Sequence, residues 1–309
     1  MLICLKLIYV LSIQDVTTSQ IHIFLSKYLI SIIMKNKKTE DKVSLVQKAV
    51  LANVNKLEQH LSRPVTEEEY IHRIRVDVKR LRGWLRVLRY RDENCDWKVT
   101  DQHIHDLSRA LGGTRDAEVL QETLSLLRKF AKDKHDKAIV ELLQEKLHVE
   151  VSLEDIDWGK IKTALLDELI QYKNYHIYCK NINDVKKGLK HLYKRALQYG
   201  NVAFSHVGTF DELHELRKWV KYLNYQIAFI RKAYPKSLGN YKKEISELGD
   251  SLGKIHDMVV LKERIKDNIE LSVANELIDK MIEHLINKAR HLYHSLFKYS
   301  PKRFIEEIQ

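Results

Sequence analysis

The sequence predicts an all-α protein made of two related halves, and three observations carry that expectation. Glycine and proline are scarce, 10 and 3 in 309 residues, so the chain has little turn chemistry and long periodic stretches. Apolar residues recur at helical spacing, most clearly in "IHRIRVDVKRLRGWLRVLRYR" at 71–91. Two blocks of the first half then return in the second, in the same order and at nearly the same separation.

Composition bounds the function before any motif does. Lys and Arg number 53 against 42 Asp and Glu, a net charge of +11, and 44% of residues are apolar, enough for a sizeable core. A basic excess implies a polyanionic partner such as nucleic acid, an anionic membrane or polyphosphate, without choosing among them. Cys4, Cys95 and Cys179 are far apart and make no CxxC, as expected of reduced thiols in a cytoplasmic protein. Of the 15 His, none falls in HExxH, and the pairs His103/His105 and His291/His294 lack further ligands, so no metal and no cofactor are assigned. Trp84, Trp97, Trp158 and Trp219 are not interleaved with cations as a base-stacking surface requires, and are assigned to the core.

The elements follow in order. "MLICLKLIYVLSI" is about 13 apolar-rich residues, too short to span a bilayer. "QDVTTSQ" interrupts it, and Met34 opens the polar run "KNKKTEDK". Residues 1–33 are therefore expected to be an over-extended N-terminal segment, or alternatively a cleaved or interfacial one, outside the fold in either case, with the domain at 34–309. In 71–91, Ile71, Ile74, Val78, Leu81, Leu85 and Leu88 form one apolar helix face. His72, Arg75, Lys79, Arg82, Arg86 and Arg89 repeat that spacing one residue later, about 100° around the helix. Eight of these 21 residues are Lys or Arg and only Asp77 is acidic. Like charges at this spacing repel, so the stripe is expected to meet an external anion. Val76, Gly83 and Val87 lie beyond the stripe, which predicts a central helix whose cations line an interior groove.

"LSRALGGTRDAEVL" at 107–120 reads as a helix end at Leu-Gly flanked by Arg109 and Arg115, with Asp116, like Asp257 in the second half, either capping the next helix or holding a stripe arginine in place. "VKKGLKHLYKR" at 185–195 sets Lys187, Lys190 and Lys194 along one face, either as further ligand contacts or as a solvated surface. "LHELRKWVKYLNYQIAFIRK" at 213–232 repeats the first stripe at an offset of 142: Leu213, Leu216, Val220, Leu223, Ile227 and Ile230 are apolar. His214, Arg217, Lys221 and Arg231 match His72, Arg75, Lys79 and Arg89, whereas Asn224 and Ala228 replace Arg82 and Arg86 and make this stripe the weaker one. "LGDSLGKIHDMVVL" at 248–261 repeats the Leu-Gly block at an offset of 141 and shares Gly112/Gly253 and Asp116/Asp257. The halves, about 43–170 and 180–300, are expected to pack around a pseudo-two-fold axis.

His-x-x-Arg-Val-x-x-Lys-Arg-Leu-Arg followed by Leu-Gly-x-x-Arg-Asp-x-x-Val-Leu, with both blocks repeated, resembles the CHAD domain family over about residues 43–300. The resemblance implies two pseudo-symmetric four-helix bundles and binding of inorganic polyphosphate in a basic groove between them. Asn224, in place of a cation, and His256, in place of the second Arg, depart from the pattern and weaken the second half of the site.

The expected function is thus non-catalytic polyphosphate binding by a cytoplasmic protein, with association to polyphosphate granules as one setting. The expected contacts are His72, Arg75, Lys79, Arg82, Arg86, Arg89, Arg115, Lys190, Lys194, His214, Arg217, Lys221 and Arg231. A linear polyanion needs a line of donors, and arginine forks and lysine ammonium groups supply them. The alternative is an RNA- or DNA-binding helical protein using the same groove, though no nucleic-acid reading motif is visible. An enzyme is not expected, since no acidic metal-ligand set or glycine-rich phosphate loop is present.

Overall fold

The computed structural model describes residues 18–62, 68–88, 97–110, 116–147, 157–175, 181–205 and 208–308. Its described elements are α1 (Thr18–Ser62), α2 (Glu68–Leu88), α3 (Trp97–Ala110), α4 (Asp116–Phe130), α5 (Lys134–Lys146) and α6 (Trp158–Tyr175). They continue with α7 (Ile182–Ala203), α8 (Phe210–Ile230), α9 (Pro235–Ile265), a 3-10 turn (Leu271–Ala274), α10 (Asn275–Leu296) and α11 (Pro301–Glu306). No strand occurs among the described residues, and the all-α expectation holds. No described helix is long and apolar enough to cross a membrane.

Helix starts are set locally. Asn181 accepts a hydrogen bond from the Asn183 amide at the start of α7 (2.6 Å). Thr209 and Glu212 form a capping box at α8, with the Thr209 amide donating to the Glu212 carboxylate (3.0 Å). Pro235 and Pro301 sit in the first turns of α9 and α11, where the missing N–H loses nothing.

Packing divides the helices into two groups. α1, α2, α3 and α6 close a four-helix bundle, each touching its neighbours in the ring α1–α2–α3–α6. α7, α8, α9 and α10 pack in sequence as a second layer, with α11 against α7. α4 and α5 precede the middle of the chain yet lie against α9, α10 and the 3-10 turn. Their buried Leu124 and Leu127 therefore serve the second group.

α2 is the central helix the sequence predicts. It contacts α1, α3, α7 and α8, its apolar stripe from Ile71 to Leu88 is buried, and so are Gly83 and Val87 beyond the basic stripe. The matching stripe of α8, from Leu213 to Ile230, is buried as well. Two glycines permit the close crossings. A Cβ on Gly188 of α7 would fall on the α2 backbone, 2.6 Å from Val87 Cα, and one on Gly83 would strike the Gln226 amide of α8. Trp84 fills the space beside the crossing, fully buried and edge-on to Phe229 (centroids 6.1 Å apart). Trp158 and Trp219 are half-buried, and the Trp97 side chain lies outside the described residues.

One expectation changes. Leu252-Gly253 does not end a helix, because α9 runs unbroken from Pro235 to Ile265. A helical glycine costs about 1 kcal/mol relative to alanine, which the packing of α9 on both α8 and α10 overrides. Asp257 is thus a mid-helix residue and caps no helix, and the residues just before Asp116 lie outside the described ones. At the N-terminus, α1 is helical from Thr18 and passes Met34 without a break. Along it the described side chains reach the core only from Val43 onward.

A cationic groove between three helices

The i,i+4 spacing that sets Arg75 beside Lys79 on α2, and Arg217 beside Lys221 on α8, puts each pair on the edge of its helix next to the buried stripe. Where α2 approaches α8, the two edges face one groove. α9 forms its third wall. Gly249 and Gly253, also four residues apart, line it with no side chain to fill it, and a Cβ on Gly253 would meet nothing within 4 Å. Lys254, His256, Asp250 and Asp257 of α9 and Val119 of α4 complete a cavity of about 440 Å³. Through Lys254 and Asp257 it adjoins a wider depression of about 580 Å³ edged by Glu122 and Lys129 of α4.

Five cations and two carboxylates therefore share the groove, with a histidine at its inner end. The His256 ring lies 5.1 Å from that of His214, and both border a small recess with Leu213 and Leu252. Burial, followed by Arg217, His214 and Lys221, pushes the His256 pKa down to about 4. His214 is lowered too, by burial and then by Arg217 and Lys218, with Glu215 and Asp211 acting against them. Both rings are neutral at pH 7, so they supply hydrogen bonds rather than charge until an anion arrives.

The thirteen expected contacts separate into groups. Arg75, Lys79, Arg217 and Lys221 line the groove, and His214 stands at its end. His72 is half-buried one turn before Arg75, outside the groove lining. Lys190 and Lys194 are exposed on α7, likewise away from that lining, and Arg231 is exposed just past the end of α8. The Arg89 and Arg115 side chains lie outside the described residues.

Arg82 and Arg86 are engaged within the fold. Both stand on the basic stripe, but α3 covers that part of α2 and brings Asp101 to them. Arg82 Nε donates to Asp101 Oδ1 (2.8 Å), while Arg86 donates to Oδ1 (2.9 Å) and Oδ2 (2.6 Å). Arg86 also lies 4.2 Å from the centre of the Tyr222 ring of α8. For these two an internal carboxylate already supplies a counter-charge. The signal was legible: Asp101 shares the buried edge of α3 with Ile104, three residues on. Asp77, the one acid of the 71–91 stretch, faces elsewhere and is held by His60 (3.2 Å) and Arg80 (2.7 Å).

The fold and groove define an all-helical domain with a cation-lined cavity between three of its helices. The sequence places it more narrowly: the model of the CHAD domain family matches residues 48–266, and the chain belongs to that family. Its fold is similar to the crystal structure of the CHAD domain from the plant Ricinus communis, at 17% identity and a TM-score of 0.50, covering 87% of this chain and 90% of that one. A search of curated proteins found no match.

Proposed function

We propose that the protein binds inorganic polyphosphate, without cleaving it, in the groove between α2, α8 and α9. Polyphosphate binding is the general property of CHAD domains. The observation that carries the reading here is the convergence of Arg75 and Lys79 with Arg217 and Lys221, two pairs from separate helices, on one open cavity. A single phosphate meets at most a few of these donors. A chain of phosphates meets them in succession, and each neutralised unit relieves the repulsion among the cations.

Mechanistically, the arginines bond phosphate oxygens in forked geometry and fix the chain's path, and the lysines add charge that follows small displacements. Lys254 provides the same from the α9 wall. His214 and His256 act at the inner end, as neutral donors at pH 7 and as cations once a phosphate raises their pKa.

The test is competition between long-chain polyphosphate and labelled single-stranded RNA at physiological salt. Polyphosphate should displace the RNA, with log affinity falling against log salt at a slope of about −3, as four or five neutralised phosphates imply at roughly 0.7 each. Mg²⁺ should weaken binding by occupying phosphate oxygens, and chain length on gels should stay constant. Preferential retention of RNA would favour a nucleic-acid protein, and shortened chains would reveal an enzyme.

A further inference from the structure

The groove face of α9 continues past Asp250 to Ser246 and Lys242, at successive intervals of four residues. The Lys242 ammonium donates to Ser246 Oγ (2.7 Å), and that hydroxyl donates to Asn224 Oδ1 of α8 (3.2 Å). Asn224 is the position at which α8 lacks the cation that Arg82 provides on α2. The structure therefore sets a cation from a third helix against the very residue where the second basic stripe is broken.

The surroundings of Lys242 favour an anion. The side chain is half-buried, and its hydrogen-bond partner is a neutral hydroxyl. Arg231 at the end of α8 and Arg80 of α2 act on it from the other two walls, and Asp250 from its own helix. Burial first, then Arg231 and Arg80, hold its pKa below the ordinary lysine value, with Asp250 opposing them. Arg80 is itself engaged by Asp77 (2.7 Å), which leaves Lys242 and Arg231 to meet a ligand. From Lys221 to Arg231 is about 15 Å of helix at 1.5 Å per residue, an extension of the groove rather than part of its centre.

We propose that Lys242, oriented by Ser246 and Asn224, forms with Arg231 an outer subsite of the groove that takes the phosphate units of a long chain beyond those held by Arg217 and Lys221. This rests on the polyphosphate reading above. The subsite gives the groove a length preference, because tripolyphosphate is satisfied at the centre while a long chain reaches both places. It also gives Arg231 a ligand role that its exposed position past the end of α8 does not show by itself.

The experiment measures affinity for long-chain polyphosphate and for tripolyphosphate in the wild type, Lys242→Gln, and Lys242→Gln with Asn224→Lys. For Lys242→Gln, long-chain affinity should fall about 5- to 10-fold and the salt slope shrink by about 0.7, one phosphate contact. Tripolyphosphate affinity should hold, and the added Asn224→Lys should restore the long-chain value by returning the cation to α8. The melting temperature of Lys242→Gln should equal or exceed the wild-type value, since a half-buried charge has been removed, and this separates loss of binding from loss of fold. Unchanged long-chain affinity in Lys242→Gln, alongside a large loss in Arg217→Glu with Lys221→Glu, would overturn the subsite and leave the groove standing. Equal losses for both ligands would place Lys242 at the centre and overturn the length preference. A wild-type protein that binds neither ligand would overturn the groove reading itself, and the subsite with it.

Discussion

Replacing Asp101 by Asn tests how the positive charge of α2 is balanced. The substitution keeps the shape of the side chain and removes the counter-charge of two arginines. The Arg82 and Arg86 side chains are 13% and 16% exposed and that of Asp101 is 12% exposed, so water replaces little of what is lost. Three charge-assisted hydrogen bonds weaken together, from 2.6 to 2.9 Å in length. Losing one partner of a fully buried pair costs about 3–5 kcal/mol, and exposed pairs are worth under about 1. This nearly buried triad should therefore lose about 3 kcal/mol, a fall in melting temperature of roughly 6–12 °C at about 2–4 °C per kcal/mol. Urea denaturation and calorimetry measure it. A loss below about 1 kcal/mol would refute the claim that Asp101 neutralises this part of the stripe. The same variant reports on ligand reach. The freed Arg82 and Arg86 continue the stripe of Arg75 and Lys79, so saturating polyphosphate should raise the melting temperature more in Asp101→Asn than in the wild type. An equal rise would mean that the ligand stops short of these arginines even when they are released.

Four further outcomes follow, three from the groove and one from α1. Arg75→Glu with Lys79→Glu and Arg217→Glu with Lys221→Glu should weaken polyphosphate binding to within about 3-fold of each other, because each helix places two cations in the groove; a much larger loss from the first pair in a binding titration would restore the dominant first stripe that the sequence suggests. His256 has a folded pKa of about 4 against an unfolded value near 6.5, so the unfolded state binds the extra proton and ligand-free stability should fall as pH drops through that window and level off below it, in urea titrations that His256→Ala flattens. Long-chain polyphosphate should raise the same pKa, so that binding strengthens from pH 6.5 toward 5 with measurable proton uptake, and pH-independent binding would remove His256 from the site. A chain begun at Met34 should fold and bind as the full chain does, since the described core contacts of α1 begin at Val43, and a loss of helicity or affinity would show that the preceding turns matter.

What the sequence made legible is what a single helix determines. The stripes of α2 and α8 followed from apolar spacing, and the pairs Arg75/Lys79 and Arg217/Lys221 from a four-residue interval on the adjoining edge. The central position of α2 followed from Gly83 and Val87 on its far flank. What the sequence did not show shares one cause. Arg82 and Arg86 satisfy the same spacing as Arg75 and Lys79, and only the placement of α3 assigns them to Asp101. Leu252-Gly253 has the local chemistry of a helix end, and only burial against two neighbours carries α9 through it. Lys242 and Lys254 belong to no stripe. They sit in "YKKEISELGDSLGKIHD", where mixed charges look like a solvated face, and their positions in the groove depend on how α9 lies against α8.

The carboxylates in the groove bear on selectivity. Asp250 and Asp257 line the same cavity as Arg75, Lys79, Arg217, Lys221 and Lys254, so an isolated phosphate near them gains from cations and loses to acids at similar range. A chain escapes that balance, because the cost of confining it is incurred once while each further unit adds contacts at high effective concentration. On the polyphosphate reading the acids penalise short anions more than long ones, and they offset the mutual repulsion of the groove cations. Asp101 does the second task alone for Arg82 and Arg86, at a depth where α3 covers them. One continuous cationic stripe is thus divided by its neighbours into a stretch that Asp101 ties to α3 and a stretch that lines the groove together with the cations of α8 and α9.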